Sequence, residues 1–427
     1  MNILVIGSGG REHALIEKLF ESDLTGRIYC CPGNAGTGEK AGSIETDISD
    51  HKELIKIVKD KNIGLTVVGP EQPLTDGIVD SFTKEGLLIF GPTKAAAEIE
   101  SSKAFAKDLM RKYSIPTADY RIFTDHSSAD SYVISVDHPV VVKASGLAAG
   151  KGAVICSTVS QSRQILKEMM ADKCFGKAGE TVVIEEYLTG EEASVFAVCD
   201  GKNYMILPTA QDHKAAYDGD KGPNTGGMGA YSPAPVVNSD MMEKIAKDII
   251  GPTVEAMRAE GREFKGVLFA GLMITTRGPK VIEYNCRFGD PETQVILPLL
   301  DGDLADILLK AAGKGFVESS ILPVKNMHCL SLVLASGGYP GKYQKGYVIS
   351  DIDTAESADK DIKIIHAGTA LKDGKTVTSG GRVINIVATA ADLKKAKMKA
   401  YEAAEKIKFE NKYFRKDIGD KGIKYYD

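Results

Sequence analysis

The chain has 427 residues, 43% hydrophobic and 26% charged, an ordinary globular composition that argues against disorder and is long enough for two to four domains. Its 53 basic and 58 acidic residues leave a net charge of −5, a near-balance that argues against non-specific nucleic-acid binding, which needs a strong positive field. No apolar run is long enough to span a bilayer, no basic leader precedes the first strand, and seven scattered cysteines without zinc spacing point to reduced thiols in a cytoplasmic protein.

Residues 3–6 predict a buried strand, followed by a helix with Leu15, Ile16, Leu19 and Phe20 at helical spacing. Strands are expected at 28–31, 65–68 and 87–90, and helices around Leu54, Ile55 and Val58 and over 78–82. Repeated β-α-β units imply a parallel sheet whose ligands bind at the carboxyl ends of the strands. The loops at that edge are glycine- and proline-rich, at 7–12, 32–36, 69–71 and 91–93. One long helix is predicted from about 95 to 113. Short strands at 140–143, 153–156, 182–186, 193–199 and 204–208, with a helix near 162–170, then suggest an antiparallel α+β unit. Residues 211–235 read as a long polar loop of the kind that forms lids and binding sites. A helix over 239–260, two strands at 267–275 and 280–286, and a strand-rich region from 326 that closes on a helix at 390–407 complete the chain.

Four motifs carry chemistry. Gly7-x-Gly9-x-x-Glu12 has two glycines of a dinucleotide fingerprint, but Glu12 replaces the third. With Arg11 in the turn, the loop suits a monophosphate; the other reading is a plain βα turn. The stretch 146–152 fails as a Walker loop, because three residues separate Gly146 from Gly150 and Gly152 follows Lys151. It remains a glycine loop flanked by Lys143 and Lys151, able to cover a triphosphate with amides and ammonium groups. Glu185 and Glu186 end a strand, with Glu191 and Glu192 beyond. Alone, this reads as a strand end with solvated acids, although a carboxylate here could bind a ribose. Glu283, Asn285 and Arg287 alternate along a strand, so one face presents a carboxylate, an amide oxygen and a guanidinium. Hard oxygen donors suit magnesium, and the arginine suits a transferring phosphoryl group. The competing reading is a surface Glu–Arg pair, worth little. His213, in the polar loop, is either a general base or simply solvated.

In order along the chain, residues 7–13 (GSGGREH), 32–36 (PGNAG), 68–74 (VGPEQPL), 143–152 (KASGLAAGKG), 211–214 (QDHK), 222–231 (GPNTGGMGAY), 283–294 (EYNCRFGDPETQ), 378–383 (TSGGRV) and 414–419 (FRKDIG) resemble the glycinamide ribonucleotide synthetase family of the ATP-grasp superfamily. The resemblance implies an α/β and α+β multidomain chain: an N-terminal parallel-sheet, biotin-carboxylase-like domain at 1–100, an ATP-grasp domain at 101–325 with a mobile lid at 118–190, and a strand-rich C-terminal domain at 326–427. It implies ATP-dependent joining of glycine to 5-phosphoribosylamine through glycyl phosphate in purine biosynthesis, with magnesium or manganese, by a cytoplasmic monomer that uses neither nucleic acid nor membrane. Carried over residue by residue, Lys103, Lys143, Gly150, Lys151, Glu185, Glu186, Leu188 and Glu191 are expected at ATP, and Glu283 and Asn285 at the metal. Arg287, Asp212, Lys214 and Asp290 are expected around the reacting groups. Gly9, Gly10, Arg11, Gly33, Asn34, Ala35, Pro70, Glu71, Gly226, Gly227 and Met228 are expected at the substrates. The superfamily's second metal carboxylate is missing, since 267–275 contains no acid. The rival readings are another ATP-grasp enzyme, such as a carboxylase, and a nucleotide sensor without catalysis; an NAD-dependent dehydrogenase is the distant third.

Overall fold

The computed structural model describes residues 1–148, 150 and 152–426. Its first hundred residues fold around a five-stranded, all-parallel sheet ordered Ala41–Ser43, Ile28–Pro32, Asn2–Gly7, Ile63–Val68, Ile89–Phe90. The central strand is buried because Ile3, Leu4, Val5 and Ile6 have helices against both faces. The edge strand Ala41–Ser43 was not expected: three residues are too few to show a periodicity.

The predicted long helix after the sheet is two helices, Lys94–Ser101 and Lys103–Lys112. Ser102 is extended at the break, and its hydroxyl accepts the Phe105 N–H at 3.2 Å, capping the second helix. Lys103 therefore opens a helix instead of lying within one.

An antiparallel sheet follows, in the order Tyr120–Phe123, Val182–Glu186, Val140–Ala144, Ala153–Cys156. It has its own small core with the helices His126–Ser135 and Val159–Leu166. The first of these helices was unforeseen, because its polar residues hide any apolar face. A larger sheet carries Gly278–Asn285, Lys265–Thr275, Glu191–Asp200, Tyr204–Ile206 and Ser320–Ile321. The register of its first pair slips between Gly271 and Leu272, so that Gly271 faces Glu283 while Leu272 faces Val281.

Residues 211–235 are not the irregular loop expected. Gln211–Asp212 and Gly229–Ser232 pair with each other, and the second joins His328–Ser336 in a sheet otherwise built from Arg382–Ala390, Ile362–His366 and Lys412–Tyr413. The helix Leu393–Lys406 covers that sheet with Ala396, Ala400, Ala403 and Ala404, whose small side chains permit close approach. No helix among the described residues is long and apolar enough to cross a membrane.

Candidate functional site

At the carboxyl edge of the parallel sheet, Gly7, Gly9, Arg11, Pro70 and Asp290 line a cleft of about 400 Å³, together with Thr46, Asp47 and Ile48. The last three escaped sequence reading because they follow the unrecognised strand Ala41–Ser43. The failed dinucleotide fingerprint has a structural cause. The Glu12 carboxylate, 1% exposed, accepts the Gly9 N–H at 2.6 Å and lies where side chains on Gly7 or Gly69 would be. A Cβ on Gly69 would meet Glu12 Oε1 at 1.9 Å. Arg11 is buried, pairs with Glu12 at 2.6 Å and donates to the Phe288 carbonyl at 3.1 Å. Gly10 is confined by Asn385 and Gln294. Gly33 has φ +81°, and Ala35 is half-buried. The Asn34 amide is occupied within the fold: it donates to the Ser8 and His366 carbonyls at 3.0 and 2.9 Å and accepts the Gly36 N–H.

Arg287 lies two residues beyond the end of Gly278–Asn285, yet Nη2 reaches Asn285 Oδ1 at 3.2 Å. Its carboxylate partners are Glu71 at 3.2 Å and Glu100 at 3.1 Å, from two other segments, so the surface Glu–Arg pair is excluded. Burial opposes the Arg287 charge, but Glu100 and Glu71 raise its pKa further. Burial likewise opposes the Glu71 charge, and Arg287 and Arg11 hold that carboxyl below its ordinary value. Glu100, which also accepts the Cys286 N–H at 2.7 Å, was missed; nothing local distinguishes it from a helix-surface acid.

Lys143 is buried and contacts Glu185 at 3.0 Å and the Ile282 carbonyl at 3.0 Å. Glu185 is therefore not the solvated acid that its strand end suggests; it is 4% exposed. It also meets Lys107 at 2.9 Å, a second lysine that sequence reading missed. Lys107 is 2% exposed, bonds Thr117 at 2.7 Å, and has its pKa pushed down to about 8 by burial, against the pull of Glu185. Lys103 lies near Gly146, with Nζ 3.4 Å from that carbonyl, and burial lowers its pKa too. Glu186 is held by Lys280 at 2.7 Å. Glu191 accepts from Gln211 at 3.4 Å, and Leu188 is half-buried in the turn between strands. Gly150 has φ +75° and lies next to the Thr225 carbonyl, whereas Lys151 lies outside the described residues.

Lys214 contacts Glu192 at 2.9 Å and Asp212 at 3.1 Å. Partial desolvation opposes the charge of this half-exposed ammonium, but Asp212 and Glu192 raise its pKa well above the ordinary value. Burial, which outweighs the attraction of Lys214, raises the Asp212 carboxyl; burial and the Asp212 charge push Glu292 up to about 7. His213 is not solvated. It is 3% exposed, neither ring nitrogen has a hydrogen-bond partner among the described residues, and burial lowers its pKa to about 4. Gly226, Gly227 and Met228 were expected at the substrates, but their backbone N–H groups go to Tyr339 Oη, Thr225 Oγ1 and the His213 carbonyl. The Met228 side chain is in the C-terminal core. Asp290 pairs with Arg382 at 3.1 Å and accepts from Gln294 at 2.7 Å.

The donors present fit magnesium. Glu283 is half-buried, and no hydrogen bond or ion pair among the described residues engages its carboxylate, although its charge opposes the lowering of the Lys103 pKa by burial and adds to the raising of that of Lys214. Asn285 adds a neighbouring amide oxygen. Gly271, opposite Glu283, brings no second acid, and no cluster of three metal-binding side chains occurs among the described residues. A metal ion here needs phosphate oxygens and water to complete its shell.

The sequence matches the phosphoribosylglycinamide synthetase N domain over residues 1–100, the ATP-grasp (A) domain over 101–293 and the C domain over 329–421. It is 46% identical over 428 residues to a phosphoribosylamine–glycine ligase of Rhodopirellula baltica, covering 99% of this chain and 98% of that one. The fold matches the crystal structure of phosphoribosylamine–glycine ligase from Thermotoga maritima with a TM-score of 0.85, at 33% identity over 98% of this chain and 100% of the other. The biotin carboxylase domain of Hydrogenobacter thermophilus 2-oxoglutarate carboxylase, solved with magnesium ADP and bicarbonate, shares the fold at a TM-score of 0.73 and 14% identity, covering 100% of this chain and 98% of that one. With its ATP-grasp fold and its match to all three domains, the chain belongs to the phosphoribosylglycinamide synthetase family.

Proposed function

We propose that this chain ligates glycine to 5-phosphoribosylamine at the expense of ATP, giving glycinamide ribonucleotide, ADP and phosphate, a step of purine biosynthesis. One observation carries the reading beyond family membership. The Phe288 carbonyl accepts both Arg11, from the cleft at the parallel sheet, and Arg287, from the acidic strand. A sugar-phosphate site and a phosphoryl-transfer site are thereby joined through a single peptide group.

In this reading a carboxylate oxygen of glycine attacks the γ-phosphorus of ATP, and the bond from that phosphorus to the ADP oxygen breaks. The ribosylamine nitrogen then attacks the carbonyl carbon of glycyl phosphate, expelling phosphate, a far better leaving group than an oxide. Lys103, Lys143 and the glycine loop hold the nucleotide phosphates, with Glu185 and Lys107 fixing Lys143. Glu186, Leu188 and Glu191 border the nucleoside. Arg287 stabilises charge on the transferring group while Glu71 and Glu100 fix its plane. Glu283 and Asn285 hold magnesium or manganese, which when bound neutralises phosphate charge. Arg11, Pro70 and the 33–35 loop border the sugar phosphate, and Asp212, Lys214, Asp290 and the 226–228 loop border glycine and the amine. The domains are taken as 1–100, 101–325 with a lid at 118–190, and 326–427. The chain is taken as a cytoplasmic monomer, in keeping with its seven free cysteines. The test is ADP formation that needs glycine and phosphoribosylamine together; ADP formation driven instead by bicarbonate overturns the reading.

A further inference from the structure

Residues 378–383 read Thr-Ser-Gly-Gly-Arg-Val, and the roles above use none of them. A Cβ on Gly380 would lie 2.8 Å from the Gly368 Cα, and one on Gly381 would lie 2.1 Å from the Tyr339 ring. Glycine at both positions lets two backbones and an aromatic ring meet at closest approach. That packing brings Tyr339 and Arg382, the first residue of Arg382–Ala390, to the same loop. The Tyr339 hydroxyl accepts the Gly226 N–H at 3.0 Å. Arg382 Nη1 donates to the carbonyls of Gly226 and Asp290, each at 2.7 Å, and Nη2 lies 3.1 Å from Asp290 Oδ2. The loop and the Asp290 turn are also in steric register, since a Cβ on Gly227 would meet the Pro291 ring at 2.4 Å. A planar guanidinium can make these bonds at once; a lysine ammonium, a point charge on a flexible stem, cannot.

We propose that Arg382 is a positioning residue that holds the Gly226–Gly227 loop against Asp290 and so keeps the glycine and ribosylamine sites in register during acyl transfer. This rests on the reading of those segments as substrate-binding. Without the guanidinium the loop and the turn separate, and the activated glycyl group is exposed to water. Water then attacks the carbonyl carbon, the bond from that carbon to the phosphate oxygen breaks, and glycine and phosphate leave. ATP is consumed and no ligation product forms.

The experiment measures ADP and glycinamide ribonucleotide in the same reactions of the full-length wild type, Arg382→Ala and Arg382→Lys. In Arg382→Ala, ADP should exceed product several-fold, and the KM values for glycine and phosphoribosylamine should rise about tenfold, the loss expected for charge-assisted hydrogen bonds, while the KM for ATP stays unchanged. Added guanidinium should restore the match between ADP and product, and Arg382→Lys should lie between the two. Equal ADP and product in Arg382→Ala overturns the proposal, even if turnover falls, because a smaller folded fraction lowers both together. If the wild type makes no ADP with glycine and phosphoribosylamine together, the proposed function itself fails, which is a separate result.

Discussion

Arg11 and Arg287 donate to the same oxygen, the Phe288 carbonyl, at 3.1 and 3.2 Å. Two guanidinium groups can converge on one acceptor because each is neutralised from its own side, Arg11 by Glu12 and Arg287 by Glu71 and Glu100. Arg11→Ala should raise the KM for phosphoribosylamine about tenfold and that for ATP much less. Combined with Arg287→Lys, the losses in kcat/KM should depart from additivity by about 0.5–3 kcal/mol, as for residues that share a partner. Equal KM effects on both substrates, or strict additivity, would show that the shared carbonyl does not link the sites.

Glu283 has no protein partner among the described residues, so its removal should disturb the fold little. Glu283→Ala should unfold within about 1 kcal/mol of the parent while turnover falls about a hundredfold or more. The checks are denaturant unfolding and a magnesium titration of the rate. Wild-type turnover at saturating magnesium would remove this strand from the mechanism.

Lys107 shares Glu185 with Lys143. In Lys107→Met, Glu185 keeps only one of its cationic neighbours, and Lys143 is drawn towards it and away from phosphate. Stability should fall by about 1–3 kcal/mol, less than for a fully orphaned buried charge, and the KM for ATP should rise. Thermal unfolding and an ATP titration measure the two effects; an unchanged KM for ATP would confine Lys107 to the fold.

Gly69→Ala places a methyl group on the Glu12 carboxylate. The carboxylate must move, and it loses the Gly9 N–H and Arg11 together. A loss of about 1–3 kcal/mol in stability and a higher KM for phosphoribosylamine are expected. Shortening Glu12 in the same chain, as Gly69→Ala with Glu12→Ala, should remove the clash, so the double variant should be more stable than the two single losses summed. Simple additivity in denaturant unfolding would contradict this account.

Acid should destabilise the protein through its buried histidines. Burial lowers the pKa of His213 and His366 to about 4 and of His13 to about 3. As pH falls from about 6.5 towards 4, these imidazoles take up protons in the unfolded chain before they do so in the folded one, so stability falls over that window. Each contributes up to about 3 kcal/mol at the acid end. His213→Phe removes one of them, so the slope of unfolding free energy against pH between 6.5 and 4 should become shallower, with activity retained at pH 7.5. An unchanged slope would mean that His213 is already paired in the fold, and loss of activity would revive it as a general base.

Much of the secondary structure was legible because buried strands such as residues 3–6 and 140–143 announce themselves as short apolar runs. The reading failed where a local feature competes with periodicity. Ser102 caps one helix inside what looked like a single longer one, and Ala41–Ser43 is too short for a pattern. Residues 211–235 read as loop because glycines and polar groups dominate them, yet Gln211–Asp212 pairs with Gly229–Ser232, and the latter finds a second strand partner, His328–Ser336, about a hundred residues away.

The amino-acid sequence by itself determined most of the buried strands, the glycine loops and the alternation that puts Glu283 and Asn285 on one strand. It also marked the broken fingerprint at Glu12, because residue type and spacing are local properties. Only the tertiary structure decided which charges meet. Glu71, Glu100 and Arg287 come from three segments, Lys107 and Lys143 converge on Glu185, and Arg382 crosses to Asp290. The physical reason is burial. An acid or base at a surface needs no particular partner, but once packing removes water its charge must be matched across space, and the match depends on where every element has docked.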